Sequence, residues 1–247
     1  MKATFIKSIV AAFIIILCVN AKSKAQTYYP VYLCDGGTAT LHTPEESTLS
    51  NGDKVFWYLE GTQVDVITFN GTANQTNYVT PNNLSAGVHN YTSRILSAAG
   101  CWGDLSDPFQ VYQLPSKALA LTTNKTAYCG DDATLSSIIT ATTTPAEALP
   151  AGIEYVYTWS ATKDGTNVTP LSGIGTEDGS KTAANKFTLT ATTAGTYVFN
   201  ATVKYVIASG NTGVLKSGDG KGCEVSATAT QTVTVTPKPV KPTIVIQ

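Results

Sequence analysis

Charged side chains are scarce in this sequence, and so are histidine and methionine. Asp, Glu, Lys and Arg make up 13% of the 247 residues, about half of the share usual for a globular protein. The 16 basic residues do not outnumber the 17 acidic ones. The chain therefore lacks the positive surface that binding to nucleic acid or anionic lipid requires, and we expect no nucleic-acid partner.

Long apolar runs are also missing, with one exception at the N-terminus. Lys2 and Lys7 precede an apolar run from Ser8 to Val19 and a small-residue site that ends at Ala25. The run is shorter than the about 20 residues that span a bilayer, and the arrangement is typical of a cleavable signal peptide. We expect a secreted or cell-surface protein that begins at Gln26 and has no integral membrane segment. Its net charge after cleavage is −5, from 12 basic and 17 acidic residues.

The residues needed for catalysis and cofactor binding do not form recognisable motifs. His42 and His89 are the two histidines, and neither is accompanied by a Gly-x-Ser-x-Gly nucleophile motif. Cys-x-x-Cys metal spacing and phosphate-binding glycine loops are absent. We predict that the protein is not an enzyme and holds no metal or cofactor. Acidic residues in predicted turns lack the alternating spacing of a calcium loop, and turn chemistry explains them better: Asp131, Asp132, Asp164 and Asp219.

What the chain has in abundance is Thr, Val, Tyr and Gly, arranged in two similar halves. Each half contains an aromatic strand with one tryptophan, Trp57 or Trp159, and a glycine, Gly87 or Gly195, that opens a long strand. The long strand of the second half alternates inward residues with polar ones, which is the period of a strand with one buried face. Its inward residues are Tyr197, Phe199, Ala201, Val203, Tyr205 and Ile207, and His89 aligns with Tyr197.

About seven short strands per half, with a tryptophan on the third, predict an all-β fold of two tandem immunoglobulin-like antiparallel β-sandwiches. We assign residues 1–25 to the signal peptide, 26–115 to the first domain and 116–236 to the second. Residues 237–247 form a Pro-rich linker followed by Thr243 to Ile246, which is read as the opening strand of a third repeat. Such an unpaired strand is an exposed edge that can pair with another molecule.

The first half resembles the Ig-like and PKD-like repeats of Bacteroidetes surface proteins, including those that accompany C-terminal sorting domains. The resemblance lies in Cys34 to Leu41, Trp57-Tyr58, Tyr78 to Pro81 and Ala99-Gly100-Cys101. The second half is similar but looser, with a Gly-rich insertion before Cys223. The resemblance implies an immunoglobulin-like fold and a surface location rather than an activity. No C-terminal sorting domain is recognisable in the sequence.

Four cysteines remain after signal cleavage, two in each half. In an exported protein such cysteines favour disulfides, and four cysteines allow three connectivities. We predict Cys34 with Cys101 and Cys129 with Cys223, one bridge per domain. One geometric objection is that plain immunoglobulin topology places the two cysteines of each half at opposite ends of the sandwich. Free or differently paired cysteines are the alternative.

Three aromatic residues are candidates for contact with a ligand. Trp102 follows Cys101 between two glycines, so it either caps the predicted disulfide or is exposed as a stacking surface for a sugar or protein; we favour capping. Tyr28 and Tyr29 precede the first strand.

These features favour a structural or adhesive surface module whose partner is an unknown protein or glycan. A carbohydrate-binding module is one alternative, and it predicts that three aromatic rings line one exposed face. A pilus-like subunit that donates residues 243–247 to a neighbour is the other alternative.

Overall fold

The structure is a computed structural model, and it describes residues 28–130, 135–145, 148–218 and 223–244. The predicted signal peptide, Gln26, Asp131, Asp132 and Asp219 lie outside the described residues, as do residues 245–247. Thr243 and Ile244, predicted to begin a strand, are not part of one, and Ile244 is fully exposed.

The first sandwich is built mainly from residues 31–113. Its strands are β1 (Val31–Leu33), β2 (Thr40–Leu41), β3 (Lys54–Leu59), β4 (Thr62–Thr68), β5 (Tyr78–Val79), β6 (Gly87–Leu96) and β7 (Phe109–Gln113), and Pro44–Thr48 form a 3₁₀ turn. Strands β1, β7, β6, β3 and β4 form one sheet in that order, and β2 pairs with β5 to form the facing sheet. Strand β1 runs parallel to β7, and the other pairs within this sandwich are antiparallel.

The second sandwich has a more complete set of strands. The strands in the second half of the chain are β8 (Ala118–Thr123), β9 (Ala127–Cys129), β10 (Ser137–Thr144), β11 (Ile153–Lys163), β12 (Thr166–Asn167), β13 (Gly175–Glu177), β14 (Ala184–Leu189), β15 (Gly195–Ile207), β16 (Val214–Lys216), β17 (Glu224–Ser226) and β18 (Gln231–Thr236), with a 3₁₀ turn at Leu171–Gly173. All of them except β16 belong to the second sandwich. One sheet has the order β13-β14-β10-β8, and the other has the order β12-β11-β15-β18-β9, with β17 also paired to β15. Two facing sheets with this order are the arrangement of an immunoglobulin-like sandwich.

Alternation along the strands buries one face of each sheet, as the sequence predicts. Trp57 and Trp159 are both buried, and so are Tyr197, Phe199 and Val203. Each tryptophan also satisfies its ring N–H, since Trp57 Nε1 donates to the carbonyl of Thr76 at 2.9 Å and Trp159 Nε1 donates to Asn185 Oδ1 at 2.7 Å. The predicted immunoglobulin-like fold is confirmed.

The alignment of His89 with Tyr197 has a structural counterpart. The hydroxyl of Tyr197 donates to the carbonyl of Thr193 at 3.0 Å, and His89 Nε2 lies 2.7 Å from the carbonyl of Ser85. In both cases the partner is four residues upstream, which is the geometry of a tyrosine corner. The two halves therefore share this corner.

The last segment of the second half forms two strands rather than one. Strand β17 ends at Ser226 and β18 begins at Gln231, and both pair with β15. Between them, Ala227 bridges the two sheets, because its N–H donates to the carbonyl of Ala201 in β15 at 2.9 Å and it also pairs with Leu119 of the opposite sheet.

Candidate functional site: the junction between the sandwiches

The two sandwiches are joined by a shared sheet. Strand β16 leaves the second sandwich after β15 and pairs in parallel with β1 of the first, with Val31 opposite Val214. Backbone hydrogen bonds continue this ladder on both sides: Cys34 N donates to Lys216 O at 2.9 Å, and Val214 N donates to Pro30 O at 2.9 Å. The large sheet of the first sandwich thus has its edge covered by a strand from the second.

Glycines allow the backbones to approach this closely. A Cβ atom on Gly213 would lie 2.3 Å from the carbonyl oxygen of Tyr29, and one on Gly218 would lie 2.1 Å from the carbonyl oxygen of Gly36. Both distances are too short for any side chain. Residues 210–218 of the Gly-rich insertion therefore form the crossing between the sandwiches.

A disulfide fixes the same junction covalently. Cys34 is bonded to Cys223, with the two Cα atoms 5.5 Å apart, while Cys101 and Cys129 are free. The predicted pairs Cys34 with Cys101 and Cys129 with Cys223 are wrong. The bond links one sandwich to the other rather than the two ends of one sandwich.

The physical reason is the length of the long strands. Cys34 follows β1 at the end of the sheet where β6 begins, whereas Cys101 precedes Trp102, which pairs with Leu96 at the end of β6. Ten residues of β6 separate these ends by about 30 Å at 3.3 Å per residue. A disulfide requires Cα atoms within about 7 Å. The objection raised by plain immunoglobulin topology is therefore correct.

The hydroxyl of Tyr32 is the centre of a buried polar network at the junction. It donates to the carbonyl of Ala151 at 3.0 Å and accepts from Asn211 Nδ2 at 3.1 Å and from the backbone N–H of Tyr29 at 3.0 Å. Asn211 Nδ2 also donates to the carbonyl of Gly152 at 2.9 Å. Tyr32 is fully buried, so a satisfied hydroxyl here ties β1 to two loops of the second sandwich.

The chain that connects the sandwiches is held by Tyr205. Its hydroxyl donates to the carbonyl of Pro115 at 3.0 Å, and the Lys117 ammonium lies 4.0 Å from the centre of its ring. Lys117 Nζ also donates to the carbonyl of Cys223. Burial raises the pKa of Tyr205 above its ordinary value, so the phenol remains a donor at neutral pH.

Two of the predicted ligand-contact residues lie at this junction. The ring of Tyr29 packs 4.9 Å from that of Tyr112 and 5.8 Å from that of Tyr32. Tyr28 is about one-third exposed and lies against Gly152 of the second sandwich. Both tyrosines therefore take part in contacts within the chain.

Trp102, the third, lies at the far end of the first sandwich. It is 47% exposed, and its ring packs 4.8 Å from that of Phe56 with the Arg94 guanidinium 4.8 Å from its centre. Because Cys101 is free, the prediction that Trp102 caps a disulfide is wrong. Trp102, Tyr28 and Tyr29 do not line one face.

A small cavity opens in the first sandwich, and the sequence analysis did not predict it. Its volume is about 290 Å³. Two of its lining residues, Tyr91 and Thr43, are buried, and their hydroxyls have no hydrogen-bond partner among the described residues. Burial raises the pKa of Tyr91, which keeps its phenol protonated. Other lining residues are His42, Trp57, Asp107 and Phe109.

Among the described residues, no group of three His, Cys, Asp or Glu side chains is placed to hold a metal ion. No helix in that part of the chain is long and apolar enough to cross a membrane.

Comparison with known proteins gives only distant similarities. The chain matches no protein-family profile and no curated protein. Among solved structures it is similar to a marsupial T cell receptor, with 13% identity over 87% of this chain and 73% of the other and a TM-score of 0.49. It is also similar to invasin, a bacterial integrin-binding protein, with 16% identity over 87% of this chain and 39% of the other and a TM-score of 0.31. A titin fragment, A168169, has 12% identity, 87% and 97% coverage and a TM-score of 0.29.

Proposed function

We propose that this chain is a rigid two-sandwich structural module of an exported bacterial surface protein, with no enzymatic role. Its task is to hold two immunoglobulin-like units at a fixed angle and distance. The observation that supports the proposal best is the junction, where a β ladder, a disulfide and a buried tyrosine network act together.

Each part of the junction restricts a different motion. The β1–β16 ladder opposes separation of the sandwiches, the Cys34–Cys223 bond opposes any opening of that side, and the Tyr32 network opposes sliding. Domains joined only by a flexible linker move relative to each other by default. This junction opposes such motion between the two sandwiches. The disulfide also supports an oxidising compartment, in agreement with the predicted export signal.

The test measures the distance between the sandwiches in solution. A spin label placed on an exposed residue of each sandwich, at Val79→Cys and Ala120→Cys in a C101S/C129S background, should give one narrow distance distribution by pulsed electron resonance. Reduction of Cys34–Cys223 in the variant Tyr32→Phe should broaden it. A broad distribution in the oxidised protein with Tyr32 intact would contradict a rigid module.

A second candidate function is glycan binding in the cavity of the first sandwich. Its volume of about 290 Å³ is close to the smallest usual ligand pockets. Its lining contains the apolar residues Trp57 and Phe109 and the polar residues His42 and Asp107. This mixture matches a sugar, which has an apolar ring face and a rim of hydroxyls. A buried hydroxyl without a partner, such as that of Thr43, is costly and favours a ligand that supplies one.

Glycan-array binding followed by titration calorimetry tests this candidate. Asp107→Ala should abolish binding to whichever glycan is found, because the lost carboxylate lines the cavity. Asp104→Ala is the matched control, since it removes the same charge from an exposed position nearby. Absence of any bound glycan, or equal binding by both variants, would exclude the cavity as a glycan site.

A further inference from the structure

Cys101 and Cys129 are the two free thiols of the described chain. One lies in each sandwich, and each occupies the position of one partner of the Cys34–Cys223 bond. The strand registers establish both equivalences.

Cys129 corresponds to Cys34. Each cysteine directly follows a residue of a short parallel strand, and that residue faces the position of the final strand that lies opposite the opening glycine of the long strand. This glycine is Gly87 in the first sandwich and Gly195 in the second. The two ladders are Leu33–Gln113–Gly87 and Tyr128–Val235–Gly195.

Cys101 corresponds to Cys223. Each cysteine directly precedes a residue that pairs with the long strand at the ninth position after its opening glycine. The two pairs that fix this correspondence are Leu96–Trp102 and Lys204–Glu224.

The observed bond therefore joins the Cys34 position of one sandwich to the Cys223 position of the next. Cys129 occupies the Cys34 position of the second sandwich, and Cys101 occupies the Cys223 position of the first sandwich. Each of these two cysteines lies at the end of its own sandwich that faces away from the junction. The reason is that the long strand of each sandwich separates the Cys34 position from the Cys223 position by about 30 Å. Cys101 and Cys129 are too far apart to pair within one molecule.

We propose that Cys129 of one molecule forms a disulfide with Cys101 of a second copy, which repeats the Cys34–Cys223 bond head to tail. A contact that uses different surfaces on the two partners does not close on itself in a dimer and extends into a filament or a ring. The partner is thus a second copy of this chain, oriented with its first sandwich beyond the second sandwich of the preceding molecule.

The chemistry requires an oxidant, which we take to be a small-molecule or protein disulfide in the exporting compartment. The thiolate of one cysteine attacks that disulfide and releases a thiol; the second thiolate then attacks the mixed disulfide and releases the other thiol. Two protein thiols lose two electrons in total, and the oxidant's disulfide gains them. Cys101 is exposed and Cys129 is partly exposed, so both thiols are within reach of such a reagent.

The intermolecular junction would lack two features of the internal one: a tyrosine at the position of Tyr32, where the second sandwich has Ala127, and the strand β16. The loop of the first sandwich that contains Cys101 forms no strand equivalent to β16 among the described residues. The new junction would therefore depend more on its disulfide, and a reductant should dissociate it while the Cys34–Cys223 junction keeps its β ladder.

Complementary single variants provide the test. C101S and C129S are each incubated alone and as an equimolar mixture in a glutathione redox buffer, then analysed by non-reducing electrophoresis and peptide mapping. Each variant alone should remain monomeric, and the mixture should form dimers containing a Cys129–Cys101 peptide. Because the two thiols occupy the positions of the bonded pair Cys34 and Cys223, we expect the mixed dimer to be more abundant than either homotypic dimer.

The control is C101S/C129S with Val79→Cys, which presents an exposed thiol elsewhere on the first sandwich. Mixed with C101S, it should form few dimers. Homotypic dimers as abundant as the mixed dimer, equal dimer formation with the Val79→Cys control, or a mixture that stays monomeric would each overturn the proposal. A melting temperature equal to that of the wild-type protein shows that each variant is correctly folded.

Discussion

The disulfide between Cys34 and Cys223 closes a very long loop, and this sets the size of its effect on stability. The two cysteines are 189 residues apart. In the chain-entropy model, the loss of denatured-state freedom for a loop of this length is worth about 5 kcal/mol at 25 °C. We expect the variant C34S/C223S to lose this amount, less any strain that the bond imposes on the native state.

Denaturant unfolding of C34S/C223S and C101S/C129S measures the effect. The second variant removes two cysteines that form no bond, so its free energy of unfolding should change by less than about 0.5 kcal/mol. For a chain of this length, 5 kcal/mol corresponds to a fall in melting temperature of roughly 10 to 20 °C. Fluorescence of Trp57 and Trp159 follows the core of each sandwich separately if each is studied with the other and Trp102 replaced by Phe.

The distribution of the loss between the two sandwiches is informative as well. The bond constrains both sandwiches at once. In C34S/C223S, the sandwich that unfolds first should therefore lose the most stability, and the unfolding transitions of the two sandwiches should separate. If C34S/C223S is as stable as C101S/C129S, the bond between the sandwiches does not form in the folded protein. If C101S/C129S loses the larger amount, the bonded pair is a different one.

Three further predictions concern the core, the phenols and the response to force. Trp159→Ala should cost about 3 to 5 kcal/mol, because Trp159 is buried and its partner Asn185 is left unsatisfied; a loss below about 1 kcal/mol in a denaturant titration would contradict its burial. Burial raises the pKa of Tyr128 to about 12, so the unfolded state loses that proton first and stability should fall between about pH 10 and 12. Tyr128→Phe should remove this part of the fall in an alkaline unfolding series. In single-molecule pulling from the termini, the intact Cys34–Cys223 bond should withhold the 189-residue loop, roughly 650 Å of extended chain; a full-length release without reductant would contradict this.

The sequence predicts the individual sandwiches well because their signals are local and periodic. Alternation places Trp159 and Phe199 on the buried faces of long strands, and Gly195 marks where the longest strand begins. The corner at Tyr197 follows from its place in that alternation. These features depend on a few neighbouring residues, so they can be read from one segment at a time.

The junction could not be predicted in this way. Strand β16 has three residues and no alternation long enough to be recognised, and its partner β1 lies about 180 residues earlier in the chain. Gly213 and Gly218 look like ordinary loop glycines until the opposing carbonyls of Tyr29 and Gly36 are known. A pairing between distant short segments leaves no periodic signal in either one.

The predicted cysteine pairing is wrong for a related reason. Two cysteines in each repeat predict that each repeat closes on itself. The same placement is what a chain of repeats needs if each cysteine reaches the adjoining repeat, because a cysteine at the end of β1 and another beside the end of the long strand face opposite neighbours. With two repeats, such a scheme forms one internal bond and leaves one thiol at each end, which is the arrangement found for Cys34–Cys223, Cys101 and Cys129.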